Sequence, residues 1–186
     1  MTAKFNVAVL VGSLRKDSFN LRLARALTNL APEELAFNFV NMDLPLYNPD
    51  RDGDALPESW RQFRDGIRAA DAILFVTPEY NRSIPASLKN ALDVGSRPMG
   101  KSVWNGKPAA IVSGSPGGIG GFGANHILRQ SLVFLNMPAM QQPEAYIGGI
   151  ADLFDANGNI ARTDSKTFLT SFMSAFDAWI ARHVDR

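Results

Sequence analysis

The 186-residue chain contains no cysteine and only two histidines. The missing thiols exclude a disulfide framework, thiolate catalysis, cysteine-ligated zinc and cysteine-bound iron–sulfur clusters, so any redox chemistry has to come from a bound cofactor. His126 and His183 lie far apart in sequence, and each reads as a helix-surface or core residue rather than a metal ligand. An excess of charge of one sign is also missing. Nineteen basic against eighteen acidic side chains leave a net charge of +1, whereas a nucleic-acid binder carries an evident basic surplus or stripe. The short basic stretch from Arg61 to Arg68 is interleaved with acids and reads as a solvated helix face. Long uninterrupted apolar runs are absent as well. Phe5 to Val11 follows Lys4 directly, is too short for a signal h-region and lacks a small-residue cleavage site. The longest charge-free stretch, Pro108 to Leu128, contains six glycines and two prolines, a composition that no transmembrane helix would carry. The expectation is a cytoplasmic protein folded as a single domain over 1–186, a length that buries roughly 70% of the unfolded surface.

What is present is an alternation of short apolar runs with amphipathic stretches. FNVAVLV at 5–11, Ala36 to Met42, AILFVT at 72–77 and PAAIVSG at 108–114 read as strands, with a fifth, weaker one within Pro138 to Ile147. Helices are expected from about Ser18 to the residues before Pro32, and over Glu58–Ala70, Pro85–Val94, Asn125–Asn136 and Thr163–His183. The last of these carries Phe168, Phe172, Phe176, Trp179 and Ile180 on one face, a core or oligomer stripe. Strands this uniformly apolar are covered on both sides, so the pattern predicts a doubly wound α/β fold around a parallel sheet. The polar stretch 43–57 is longer than an ordinary connection and reads as a functional or interface loop. Asp155-Ala-Asn-Gly-Asn159 lacks the spacing and final Glu of a calcium loop and reads as a turn.

Two phosphate-loop patterns stand in the wrong context. GSRPMGKS at 95–102 matches a Walker A motif but follows a helix, and Asn105-Gly106 with Pro108 leaves no helix behind it. GIGGFG at 118–123 matches a dinucleotide fingerprint, yet it lies at the fourth strand-to-helix turn rather than the first. The segment G12-S-L-R-K-D-S-F-N20 has a better placed chemistry. Ser13 and Ser18 offer hydroxyls, Arg15 a planar fork for phosphate oxygens and Asn20 an amide, at the positive end of a helix dipole. Ser18 would also serve as an ordinary N-cap.

With strand order 2-1-3-4-5, the loops after the first and third strands open onto one crevice at the switch point. The second loop, TPEYNRS at 77–83, adds a stiffening Pro78, an aromatic Tyr80 and backbone amides around Glu79 to Arg82. These amides are candidates for stabilising negative charge on a reduced ring. The run S113-G-S-P-G-G118 brings Ser115 and glycines that permit close approach. A pocket with a phosphate end and a flat-ring end suits flavin mononucleotide (FMN).

The GSLRxxSxN loop, the TPEYNxSIPASLKNALD segment and the SGSPGGxGG run together resemble the NAD(P)H-dependent FMN reductase family, which includes chromate and quinone reductases and azoreductases. The resemblance covers nearly the whole chain and implies a flavodoxin-like three-layer sandwich whose five-stranded parallel sheet has the order 2-1-3-4-5. It further implies that Ser13, Arg15, Ser18, Phe19 and Asn20 hold the FMN phosphate. Pro78, Glu79, Tyr80 and Asn81 line the isoalloxazine, and Ser115, Gly117 and Gly118 complete the site. NADPH or NADH is the implied hydride donor, quinones, free flavin, azo compounds or chromate the implied acceptors, and no side chain acts as catalytic acid or base. A homodimer or homotetramer is expected, with Arg129 and Glu144 in the assembling region. One departure is Val94-Gly95, where many relatives carry a Trp and another apolar residue; the expected consequence is altered surface packing of that helix. The runner-up reading is a non-enzymatic flavodoxin-type electron carrier, and a dinucleotide-binding module using GIGGFG is a further alternative.

Overall fold

The computed structural model describes residues 5–184. Five strands, β1 (Phe5–Val11), β2 (Leu35–Phe39), β3 (Ala72–Thr77), β4 (Ala109–Gly114) and β5 (Ala145–Ile147), form one sheet in the order β2-β1-β3-β4-β5. Every pairing is parallel. The helices are α1 (Phe19–Leu30), α2 (Glu58–Arg68), α3 (Ala86–Gly95), α4 (Phe122–Phe134) and α5 (Thr163–Ala181). The strand period of two divides the core. Val7 and Val9 point to the layer of α1 and α5, where Leu23, Leu27, Phe172 and Phe176 pack, while Ala8 and Leu10 point to α2, α3 and α4. The second layer contains Trp60, Phe63, Leu88, Trp104 and Leu128, all but completely buried. The predicted three-layer sandwich and its strand order are what is observed. Among the described residues no helix is long and apolar enough to cross a membrane.

Three details differ from the sequence reading. Within Arg61 to Arg68 only the ends are solvated. Arg61 pairs with Glu58 and Arg68 with Asp65 on the surface, but Arg64 is 3% exposed. It lies four residues after Trp60 and three before Ile67, on the apolar stripe of α2, so the 3.6-residue period carries it inward. There it forms a fork–fork pair with Asp52, at 2.7 and 2.8 Å, and donates through Nε to the carbonyl of Val94 at 2.9 Å.

This ion pair pins the long connection 43–57. Tyr47 donates its hydroxyl to Asp52 at 3.2 Å, and Asn90 of α3 donates to the carbonyls of Leu44 and Pro45 while accepting from the Tyr47 amide. The connection is therefore a fastened strap. Its buried polar groups, Asp52 foremost, are satisfied by internal hydrogen bonds.

The second difference concerns Val94-Gly95, which is an interior site. Val94 is fully buried, and a Cβ on Gly95 would lie 2.5 Å from the Trp104 indole. The departure is thus filled by Trp104, whose ring donates through Nε1 to the Leu92 carbonyl at 3.0 Å. The third is α4, which begins at Phe122 rather than Asn125. Its N-cap, Gly121, has φ +77°, a conformation that favours glycine. The missing side-chain cap is supplied from β3's loop, where the Glu79 carboxylate accepts from the Ala124 amide at 3.1 Å.

The remaining expectations fall into place locally. The segment 95–102 is a helix-to-strand connection with Lys101 exposed. Asp155 accepts from the amides of Asn157 and Asn159 in a turn closed by the Phe154–Ile160 bridge.

Candidate functional site

The carboxyl ends of β1, β3 and β4 meet at the switch point of the sheet. Gly12 donates its amide to the Val76 carbonyl at 2.9 Å, and a Cβ there would stand 2.6 Å from the Thr77 hydroxyl. The absent side chain lets β1 and β3 end side by side, so their loops flank one opening. The opening is a crevice of about 220 Å³, continuous with solvent.

Nine of the twelve residues singled out from sequence line it: Ser13, Arg15, Ser18, Phe19, Asn20, Pro78, Glu79, Tyr80 and Ser115, joined by Gly114, Pro116 and Ile150. Asn81, Gly117 and Gly118 lie outside that lining.

Ser13, Arg15, Ser18 and Asn20, at the start of α1, bring groups that can receive an anion to the crevice. Ser18 caps α1 by accepting from the Leu21 amide at 3.3 Å, which aims the first turn's amides outward. Arg15 stands there exposed and forms no ion pair among the described residues. Asn20, 4% exposed, ties α1 to β4 by donating through Nδ2 to the Gly114 carbonyl at 3.1 Å. Oδ1 of the same amide is buried with no hydrogen-bond partner. A buried acceptor left open costs about 1–3 kcal/mol, and Asn20 is one of the residues that line the crevice.

The lining also contains Pro78, Tyr80 and Pro116, with Glu79 between the first two. Tyr80 and Ser83 exchange both backbone hydrogen bonds at 2.9 Å, and Asn81 and Arg82 between them have φ of +51° and +62°. Two central residues at positive φ form a tight primed turn. The sequence reading took the amides from Glu79 to Arg82 as open; the turn commits that of Tyr80. Glu79 is committed too, to the cap on α4 and to Arg82 at 3.4 Å.

The glycine run after β4 has a packing role that its pattern disguised. A Cβ on Gly148 would meet the Gly118 carbonyl at 2.6 Å, and one on Gly120 would meet the Tyr146 backbone at the same distance. The run approaches the 146–149 loop backbone to backbone. Gly117 donates its amide to the Ser115 hydroxyl at 3.0 Å, and Ser115 is fixed through its own amide to Ile147 and through its carbonyl to Ile150. No sequence signal separated these contacts from ligand contacts, since both ask for a missing Cβ.

Arg129 and Glu144 are near β5, away from the crevice lining. Arg129 donates to Asn125 at 3.0 Å and to the Met140 carbonyl at 2.9 Å. Burial first and Glu144 second push the Tyr146 hydroxyl up to about 12. His126 shares a 3.0 Å hydrogen bond with that hydroxyl, and His183 bonds the Trp179 carbonyl. Among the described residues no group of three or more potential metal-ligating side chains comes together.

Comparison with known proteins agrees with this geometry. A family profile for NADPH-dependent FMN reductases matches residues 5–152. A quinone reductase of Pseudomonas putida is 59% identical over 181 residues, covering 97% of each chain. A 2-hydroxy-1,4-benzoquinone reductase from Burkholderia is 51% identical over 175 residues, covering 94% of this chain and 95% of that one. Among solved structures, a flavoenzyme NAD(P)H:(acceptor) oxidoreductase from Paracoccus denitrificans superposes with a TM-score of 0.91 at 44% identity, covering 96% of this chain and 98% of that one. With the switch-point crevice, its anion-receiving groups and these matches together, the chain belongs to the NADPH-dependent FMN reductase family.

Proposed function

We propose that the chain is an NAD(P)H-dependent oxidoreductase that holds FMN in the switch-point crevice and reduces quinones. The open acceptor of Asn20, buried beside an unpaired Arg15 and the capped start of α1, is the observation that carries this reading. Ser13, Arg15 and Ser18 would take the phosphate, with Phe19 beside them, and Asn20 a hydroxyl of the ligand. Pro78 and Tyr80 would face the ring, with Glu79 holding their loop to α4 and Asn81 turning it. Ser115, fixed by Gly117 and followed by Gly118, would close the far wall. Bound FMN supplies two-electron chemistry, accepting hydride from a nicotinamide and passing the electrons to an acceptor. The protein orients the ring and leaves one side of the crevice open to solvent, so that donor and acceptor use the same opening in turn.

The net reaction converts a quinone, NAD(P)H and a proton into hydroquinone and NAD(P)+. The quinone reductases at 59% and 51% identity support this acceptor class over free flavin, azo compounds or chromate. The reading extends to a single FMN-binding domain over 1–186, a cytoplasmic location, and a homodimer or homotetramer. Phe122, Val133 and Phe134, exposed along α4, support the assembly.

Steady-state rates with NADPH or NADH against a benzoquinone series test the activity. Parallel double-reciprocal lines are expected, because the oxidised nicotinamide has to leave before the quinone enters. Flavin that stays oxidised under either nicotinamide, in the absence of a partner reductase, would instead make the protein an electron carrier.

A further inference from the structure

The charges on α1 are arranged against its own dipole. The first turn contains no acid and the last turn no base, whereas a helix favours acids at its start and bases at its end. Arg22 sits in the N-terminal half and Arg25 just past the middle, and Glu33 and Glu34 follow the C-terminal end. From Arg15 to Arg25 the chain has four cations, Arg15, Lys16, Arg22 and Arg25, against the single carboxylate Asp17. The acid that lines the crevice, Glu79, is turned to Arg82 and to α4.

The arrangement also has a direction. Phe19 lines the crevice, and the Arg22 guanidinium lies over its ring, 5.8 Å from the centroid. Arg25 follows at the next helical step of three, so Phe19, Arg22 and Arg25 form a stripe leading away from the opening. Along the axis the two arginines are about 4.5 and 9 Å from Phe19. Both are exposed and neither lines the crevice.

We infer that Arg22 and Arg25, with Lys16, form an electrostatic approach surface that draws phosphate-bearing ligands, FMN above all, toward the anion-receiving groups of the crevice without touching them once bound. The inference rests on the flavin reading. Charges outside a contact change the rate of encounter and its salt dependence far more than the rate of escape.

The test is stopped-flow association of FMN with the flavin-stripped full-length protein, unaltered and as R22Q/R25Q, with uncharged riboflavin as the control ligand. At low ionic strength the variant should bind FMN about 3–10-fold more slowly, a modest share of the range steering can supply. Its dissociation rate should change less than twofold, and the difference should vanish at high salt, where screening falls within a few ångströms. Riboflavin association should be the same in both proteins, and the variant's apo form should melt no lower than the unaltered one. An unchanged FMN association rate overturns the inference, as does a slower rate that salt leaves intact or that riboflavin shares. If the unaltered chain binds no FMN at all, the flavin reading fails and takes this inference with it.

Discussion

Replacing Asp52 by alanine is expected to lower the unfolding free energy by about 3–5 kcal/mol, the usual cost of breaking a buried ion pair from one side. The loss comes from what stays behind. Arg64 has a side chain only 4% exposed, and without Asp52 its charge keeps one hydrogen-bond acceptor, the Val94 carbonyl, and the face of Trp60. The strap 43–57 would lose its anchor at the same time, since Tyr47 also bonds Asp52. Urea unfolding measures the loss, and a drop below about 1 kcal/mol, the level of a surface pair, would show that water reaches Arg64.

The same pair gives stability a pH dependence of known sign. Hydrogen bonds from the Arg64 guanidinium hold the Asp52 carboxyl below the usual carboxylate range, against the opposing pull of burial. The folded value is therefore lower than the unfolded one, near 4. The contribution is full above that unfolded value and is lost as pH falls through the folded one. The gap between the unaltered protein and Asp52→Asn should accordingly narrow below about pH 4.

Gly120→Ala is expected to cost about 2–4 kcal/mol, combining an unfavourable backbone conformation with overpacking. Gly120 has φ +65°, and its Cβ would stand 2.6–2.8 Å from backbone atoms of Tyr146 and Ile147, none of which can swing aside. Relief requires the run after β4 to move away from the 146–149 loop. Ser115 is held by its amide to the Ile147 carbonyl, so that movement should reach the crevice wall and weaken FMN binding as well. For a chain of this size the melting temperature should fall by roughly 4–16 °C. Gly118→Ala is the control, because a Cβ there meets nothing within 4 Å; it should change stability by no more than about 0.5 kcal/mol. Equal effects from the two substitutions would mean that the run is not packed as described.

These cases also show where the sequence was readable. β1, β3 and β4 could be placed because FNVAVLV, AILFVT and AAIVSG are buried on both faces and therefore lack polar alternation. The alternation with helices implies a parallel sheet, whereas the strand order came with the resemblance, and it put the loops of Arg15 and Tyr80 at one opening. Boundaries failed where the deciding partner is remote. The start of α4 depends on Glu79, more than forty residues earlier in the chain, and no local pattern announces that cap. Arg64 misled because its charge outweighed its spacing, although Trp60 and Ile67 marked the face it shares. Asn81 and the glycines at 117 and 118 were placed in the site by motif alone. Asn81 stands in the positive-φ turn, while the glycine of the run whose missing Cβ the loop contact requires is Gly120.

The central claim is that the crevice at the ends of β1, β3 and β4 holds FMN by its phosphate. Titration of the flavin-stripped protein with FMN, followed by quenching of flavin fluorescence, tests it most directly when repeated with Arg15→Ala. One FMN per chain is expected, with affinity reduced about 5–150-fold in the variant, which corresponds to a lost charged hydrogen bond of about 1–3 kcal/mol. Absence of FMN binding by the unaltered protein, or the same affinity in both, would contradict the account.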